Sequence, residues 1–333
     1  SSDLYAGNLR CMDQVKEFLE ARQTLVYFAA IAAAALAACV LPGTLALQVL
    51  ISPALALMLY VTFLQVPLAD FGRAFSNIRF LVALGVSNFA AVPLLLAAML
   101  PFMPAEALLR FGMLLVLLAP CIDYVVTFAH LGKADARLLL AATPGLLLMQ
   151  MLLLPAYLTV FLGSHAAGLI QPGPFLHAFG WLIVVPLLLA GATQWWAGRR
   201  AAARRVYVAL GLLPVPATAA VLFVVVASVM PQLGHAVDAS LAALPFYMVF
   251  AVVAPLIGWF VGRCFGLEAT AGRAVAFSTG TRNSLVVLPL ALSIPGATPV
   301  LPAVIVAQTL VELLGELLYV RWIPGLGVRR AGR

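Results

Sequence analysis

Charged residues are scarce in this sequence. Asp, Glu, Lys and Arg together make up 9% of the 333 residues, and 64% of the residues are apolar, whereas about a quarter of an ordinary soluble domain is charged. So few charges cannot keep the outside of a soluble protein hydrated while this much apolar surface is buried. The composition therefore excludes a soluble enzyme, a secreted disulfide scaffold and a disordered chain, and it predicts an all-α polytopic membrane protein.

Cysteine pairs and catalytic motifs are also missing. The four cysteines lie far apart and form no CxxC pair, so no disulfide framework is predicted. The sequence has no Walker A, HExxH or GxSxG motif, and its four histidines lack zinc-ligand spacing. Residues 1–22 lack the apolar core of a secretory signal. We therefore expect a protein that is not an enzyme, does not use ATP, and has no metal or cofactor.

Ten apolar stretches are long enough to cross a bilayer, because the hydrocarbon core needs about 20 helical residues. The stretches are rich in Leu and Ala and lack the period-two alternation of membrane strands, which favours helices. The predicted spans are residues 24–42, 45–65, 79–101, 110–130, 135–163, 175–197, 206–230, 239–264, 271–294 and 299–322.

Basic residues fall almost entirely on one side of these spans. Seventeen of the 19 Lys and Arg residues lie before the first span, after every second span or after the last; Arg110 lies on the other side and Arg282 inside a span. This split follows the positive-inside rule and accounts for the net charge of +7 without a nucleic-acid partner. We predict a bacterial-type inner or plasma membrane protein with both termini cytoplasmic.

The ten spans divide into two sets of five that enter the membrane from opposite sides, because five is odd. Two such halves are typical of the inverted repeats in alternating-access transporters. The predicted organisation is an N-terminal cytoplasmic tail (1–22), a first five-helix repeat (23–163), a connecting loop (164–174), a second five-helix repeat (175–322) and a basic C-terminal tail (323–333).

The fourth helix of each half carries a helix breaker among polar residues. Span four contains Pro120, which removes a backbone hydrogen bond, and span nine contains Gly280, which weakens a helix. Interrupted helices at matching positions of inverted halves indicate a transport site. We therefore predict that spans four and nine are discontinuous and cross near the membrane midplane. The candidate substrate-binding residues are Cys121, Asp123, Tyr124, Thr127, Thr281, Arg282, Asn283 and Glu312.

Charged side chains inside spans are costly unless they are paired or hydrated. Asp123 and Arg282 occupy corresponding interrupted helices, so we predict that they form a buried ion pair. Glu312 and Glu316 are four residues apart and share one face of span ten. Asp123 and Glu312 are candidate proton carriers. Glu316 is expected to reach the membrane surface or pair with Arg321, which lies little more than one turn away.

Cys121 is the only cysteine within this polar set. A thiolate is a soft ligand that suits soft metals and thiophilic metalloids. Free cysteine is also common as a buried apolar residue, so the residue alone leaves both interpretations open.

The ten-span plan, the crossing of spans four and nine and the local sequences resemble the bile acid–sodium symporter superfamily, which includes the arsenite efflux permeases. The resemblance covers nearly the whole chain from about residue 24. In the arsenite permeases, span four carries Pro-Cys and span ten carries Leu-Val-Glu, which correspond here to Pro120-Cys121 and to LVE at 310–312. The resemblance implies functional roles for Cys121 and Glu312. With STGTRNSLVVLPLAL in span nine, the chain looks most like the bacterial arsenic resistance proteins.

Span nine departs from the sodium-coupled members of that superfamily, which carry a pattern like E-x-G-x-Q-N. This chain has STGTRN at 278–283, so the carboxylate has become Ser278 and the amide has become Arg282. Because arginine cannot release its proton, Arg282 resembles a built-in replacement for sodium. We therefore expect that the sodium site is lost and that transport does not depend on sodium.

Two transport hypotheses follow. The first is proton-coupled efflux of arsenite or a related metalloid, with Cys121 contacting the metalloid and Asp123 or Glu312 exchanging the proton. The second is transport of organic anions, with Arg282 binding the anion; arsenite is mostly neutral near pH 7, which suits this second hypothesis. A facilitative channel or a non-transporting membrane receptor is a hypothesis of another class, although a channel does not need two interrupted helices in inverted halves.

Overall fold

A computed structural model describes residues 2–65, 77–122, 124–163, 177, 180–233, 236–292, 294 and 299–327. These residues are helical almost throughout and contain no β-sheet, which confirms the all-α class. The α-helices are α1 (Ser2–Val40), α2 (Ile51–Leu64), α3 (Ile78–Val86), α4 (Val92–Met99), α5 (Ala107–Leu117), α6 (Val125–Leu131), α7 (Ala136–Leu162), α8 (Val185–Ala197), α9 (Ala201–Leu210), α10 (Pro214–Leu233), α11 (Val237–Cys264), α12 (Ala269–Gly280), α13 (Ser284–Leu292) and α14 (Val300–Trp322).

Seven helical segments of the described part are long and apolar enough to cross a membrane, so the protein is a multi-pass membrane protein. They correspond to predicted spans one, two, three, five, seven, eight and ten. Spans four and nine are each divided into two shorter helices, α5 with α6 and α12 with α13. Span six begins outside the described residues. The count of ten spans and the inverted repeat stay predictions.

The predicted N-terminal tail is helical. Helix α1 begins at Ser2 and continues through the first span without a break, because the chain has no proline before Pro42 that could interrupt it. The loop predicted at 164–174 lies outside the described residues, as do residues 328–333 of the basic C-terminal tail. A single 3₁₀ turn, Ile323–Gly325, follows α14.

The chain forms two compact units, each of which combines segments from both predicted halves. Unit 1 comprises residues 1–68 and 176–232, and unit 2 comprises residues 69–175 and 233–333. Unit 1 therefore contains predicted spans one, two, six and seven, whereas unit 2 contains spans three to five and eight to ten. The predicted repeats at 23–163 and 175–322 are consequently not the compact units.

Unit 1 joins α2 to α8 and α9 through polar contacts at the end of α2. The Tyr60 hydroxyl lies 2.9 Å from the hydroxyl of Thr193. Gln194 Nε2 donates to the carbonyl of Phe63 at 3.2 Å, and the Tyr207 hydroxyl donates to the carbonyl of Leu64 at 3.0 Å. These donors satisfy the last carbonyls of α2, which have no partner within the helix.

Unit 2 contains a close helix pair, α11 against α12, built on glycines. A Cβ at Gly258 would lie 2.5 Å from Thr279 Oγ1 and 2.9 Å from the Cα of Ala276, and a Cβ at Gly262 would lie 3.1 Å from the Cα of Gly272. Small residues allow the backbones of membrane helices to approach this closely. The contact fixes α12, whose last residue opens the interruption of span nine.

We expect Gly258→Val to destabilise the protein by about 1–3 kcal/mol, because the added methyl groups would overlap the backbone of α12. The measurement is the melting temperature in detergent. Gly145→Val is the matched control, since Gly145 lies in a helix of the same unit and a Cβ there meets nothing within 4 Å. Equal melting temperatures for the two variants would contradict the close-packing role of Gly258.

Candidate functional site

The two interrupted spans cross within unit 2 as extended segments. Pro120 and Arg282 form an isolated antiparallel β-bridge. The Cys121 amide donates to the carbonyl of Thr281 at 3.1 Å, and the Asn283 amide donates to the carbonyl of Ala119 at 2.7 Å. A helix break in a membrane leaves backbone groups without partners, and here each extended segment satisfies groups of the other. The interruptions predicted at Pro120 and Gly280 are both present.

Local sequence explains where the helices stop. Helix α5 ends at Leu117, three residues before Pro120, because the residue preceding a proline is disfavoured in helical conformation. Helix α12 ends at Gly280, and the next residue, Thr281, is extended with φ −103° and ψ 133°. Gly280 also allows close packing, because a Cβ there would lie 3.0 Å from Cε2 of Tyr319.

The guanidinium group of Arg282 is fully buried at this crossing. Its Nη2 donates to three oxygens, Asn88 Oδ1 at 2.8 Å and the carbonyls of Ser278 and Thr279 at 2.7 Å each. We call these three oxygens the oxygen cage. Nη1 donates to the carbonyl of Leu117 at 3.3 Å. The guanidinium nitrogens therefore hold the end of α12 to spans three and four.

The predicted ion pair of Arg282 with Asp123 lies outside the described residues, because Asp123 is not among them. Within the described part of the chain, the Arg282 guanidinium forms no ion pair with a carboxylate. Its positive charge instead faces carbonyl oxygens and the ring of Phe250, whose centroid lies 5.3 Å from Cζ. Both the carbonyl dipoles and the negative ring face favour a cation.

The carboxyl group of Glu312 accepts three hydrogen bonds at the crossing. The Tyr124 hydroxyl donates to Oε1 at 2.5 Å, Gln308 Nε2 donates to Oε2 at 2.5 Å, and the backbone amide of Arg282 donates to Oε2 at 2.7 Å. The Glu312 side chain is buried. This carboxyl group therefore joins span four, through Tyr124, to the interruption of span nine.

Glu316 is fully buried and contacts Thr281, whose hydroxyl is its hydrogen-bond partner. The expectation that Glu316 reaches the membrane surface or pairs with Arg321 is wrong, because Arg321 is exposed and no such ion pair exists among the described residues. The physical reason is the helical period: Glu316 lies on the same face of α14 as Glu312, and that face packs against the crossing. The interruption thus has two buried carboxyl groups beside it.

The remaining predicted site residues differ in their placement. Cys121 is fully buried in the extended segment opposite Thr281. Asn283 Oδ1 accepts from the amide of Val286 at 3.3 Å, so its side chain caps the start of α13. Thr127 is only half-buried, in the first turn of α6. The crossing therefore brings together Cys121, Tyr124, Thr281, Arg282, Glu312 and, through its backbone amide, Asn283.

Asn88 is a site residue that the sequence reasoning missed. It is buried in the π turn Ser87–Ala91, where Nδ2 donates to Ser278 Oγ at 3.1 Å while Oδ1 accepts from Arg282. Pro93 lacks an N–H, so it cannot bond the carbonyl of Phe89 and favours a widened turn. The feature of the sequence that could have identified Asn88 is the polar Ser87-Asn88 pair inside an apolar span.

No group of three or more His, Cys, Asp or Glu side chains within the described residues could hold a metal ion. The sequence profile of the Sodium Bile acid symporter family matches residues 52–236, which is more than half of the chain. The match contains Asn88 and Cys121 and ends before Arg282 and Glu312. No curated protein matches the chain.

Proposed function

The chain belongs to the sodium bile acid symporter family, and on this premise we propose that it is a secondary active transporter that exports arsenite or a related metalloid in exchange for protons. Members of this family are transporters rather than enzymes. The observation that carries the proposal is the crossing itself, which places a buried thiol and two buried carboxyl groups around a position already filled by a cation. We further propose that the protein resides in a bacterial-type inner membrane with cytoplasmic termini.

The family name implies sodium as the coupling ion, but the residues of the oxygen cage do not fit a sodium ion. Three oxygens that could ligate a monovalent cation already bond Arg282 Nη2. The guanidinium is tethered to the chain and cannot lose its proton, so it can neither leave nor discharge during a cycle. We therefore assign coupling to the carboxyl groups beside the cage, with Glu312 as the proton carrier and Asp123 as a further candidate.

The substrate assignment rests on Cys121. Its sulfur is the soft ligand that a thiophilic metalloid prefers, and its segment pairs with the segment that touches both carboxyl groups. The organic-anion alternative needs free guanidinium donors on Arg282. Nη1 and Nη2 of Arg282 donate to protein oxygens instead, and among the described residues only the buried Nε of the three guanidinium nitrogens has no partner. A single buried donor is a poor site for a carboxylate or sulfonate, which favours the metalloid.

The test is transport by the purified protein in proteoliposomes under separately imposed sodium and proton gradients. We expect a proton gradient to drive arsenite movement and a sodium gradient of equal size to have no effect. Protein-free liposomes and a protonophore are the controls. Saturable sodium-driven transport would refute proton coupling, and accumulation of carboxylates or sulfonates without arsenite movement would support the organic-anion alternative.

A further inference from the structure

The two carboxyl groups of α14 lie one turn apart and have opposite hydrogen-bond surroundings. The carboxyl group of Glu312 accepts hydrogen bonds from three donors. Oε1 of Glu316 is hydrogen-bonded to a single hydroxyl group, and its Oε2 has no partner among the described residues. Paired carboxyl groups in unequal surroundings are typical of sites that divide acid and base roles between them.

We propose that Glu316 is held as a neutral carboxylic acid beside an ionised Glu312, and that it is a second proton-carrying residue of the transport cycle. The transport role rests on the proposed function; the protonation assignment does not. In each cycle Glu316 releases this proton as H⁺ and takes one back, so the only bond that breaks and re-forms is its own O–H bond.

The hydrogen-bond partners of Glu312 favour its ionised form in this state of the protein. An ionised carboxylate only accepts hydrogen bonds, whereas a protonated carboxyl group also has an O–H that needs an acceptor. The amide of Arg282 and Gln308 Nε2 both donate to Oε2. Tyr124 donates to Oε1. A proton on Oε2 would therefore face two N–H donors, and a proton on Oε1 would require the Tyr124 hydroxyl to turn from donor to acceptor.

The proton count at Thr281 requires the opposite form for Glu316. The Thr281 hydroxyl lies 2.7 Å from the carbonyl of Phe277, which can only accept, and it also contacts Glu316 Oε1. A hydroxyl group has one proton and can donate to one of these oxygens. Both contacts are satisfied when Thr281 donates to Phe277 and the acid O–H of Glu316 donates to Thr281.

The charged and titratable groups that face Glu316 agree with this assignment. Glu312 and Tyr319 lie on the same helix as Glu316, and Arg282, in the interruption of span nine, lies near Glu312 and Tyr319. From α11 the adjacent group is the carbonyl of Ala251, which accepts the Tyr319 hydroxyl. An ionised Glu316 would lie one turn from the ionised Glu312, and like charges at that spacing repel. A neutral acid removes this repulsion while keeping the bond to Thr281.

The experiment is infrared spectroscopy of the purified protein, which resolves the carbonyl stretch of a protonated carboxylic acid. We expect Glu316→Gln to remove one such band near neutral pH, and Glu312→Gln and the exposed control Glu17→Gln to retain it. Thr281→Val, which conserves shape and removes the hydroxyl partner, should shift the frequency of the same band. This variant keeps the test decisive if Glu316→Gln does not fold.

Transport measurements distinguish the protonation assignment of Glu316 from the proposed transport function. We expect Glu316→Gln to reduce proton-driven export at least tenfold relative to Glu17→Gln. If Glu312→Gln removes the band while Glu316→Gln keeps it, the protonation assignment is overturned even though the parent protein is still driven by protons. If the parent shows no proton-driven export but Glu316→Gln removes the band, the acid assignment is upheld and the proposed function fails.

Discussion

Replacement of Arg282 by alanine is expected to abolish transport and to lower the free energy of unfolding by at least ~3 kcal/mol. The oxygen cage and the carbonyl of Leu117 lose the donor that they share, and each buried acceptor left without a partner costs about 1–3 kcal/mol. The end of α12 also loses the bond between Arg282 and Asn88 of span three, and keeps the bond from Asn88 Nδ2 to Ser278 Oγ. Melting temperature in detergent and transport in proteoliposomes measure the two effects.

The same variant tests whether Arg282 occupies a cation position. In Arg282→Ala the three oxygens of the cage are left free, so we expect sodium or potassium chloride to raise the melting temperature relative to choline chloride. The parent protein should not respond, because its cage is filled. A parent protein that sodium stabilises as strongly as it stabilises the variant would contradict the filled cage.

Arg110→Ala is the matched control for Arg282→Ala. Arg110 is a partly buried arginine of the same unit that also donates to two backbone carbonyls, those of Met103 and Pro104, at 2.9 and 3.0 Å. It lies at the start of α5, away from the crossing. We expect this control to lose less stability and to keep its transport activity. Similar losses in both variants would indicate a general role for carbonyl-bound arginines rather than a role of the cage.

Replacement of Cys121 by serine is expected to reduce arsenite transport at least tenfold while the melting temperature stays close to that of the parent. Serine is nearly isosteric with cysteine, so the fold and the amide bond to Thr281 are conserved. The hydroxyl oxygen is a hard ligand and replaces the soft sulfur that a thiophilic atom prefers. Initial rates of arsenite efflux from loaded vesicles measure the effect.

Cys39→Ser and Cys264→Ser are the controls for Cys121→Ser, because both cysteines are exposed and free. We expect both variants to transport arsenite at the parental rate. Parental export by Cys121→Ser would show that no thiol of the crossing handles the metalloid, and the organic-anion hypothesis would then be preferred.

The helical membrane character, the approximate positions of most spans and the two interruptions follow from the amino-acid pattern alone. These properties are local: the length of an apolar run sets whether a helix can cross a bilayer, and Pro120 and Gly280 act on their own turns of helix. The shared face of Glu312 and Glu316 could also be predicted, because it follows from the helical period.

The partners that these residues take depend on packing between distant segments, which no local pattern predicts. Asn88 and Arg282 lie 194 positions apart in the chain, and their contact depends on a π turn in span three meeting the end of α12. Glu316 was expected at the surface, since the nearby Arg321 was visible in sequence while Thr281, which binds it, was 35 positions away. The periodicity of the sequence predicts which face of a helix is polar, whereas tertiary packing determines which residues that face contacts.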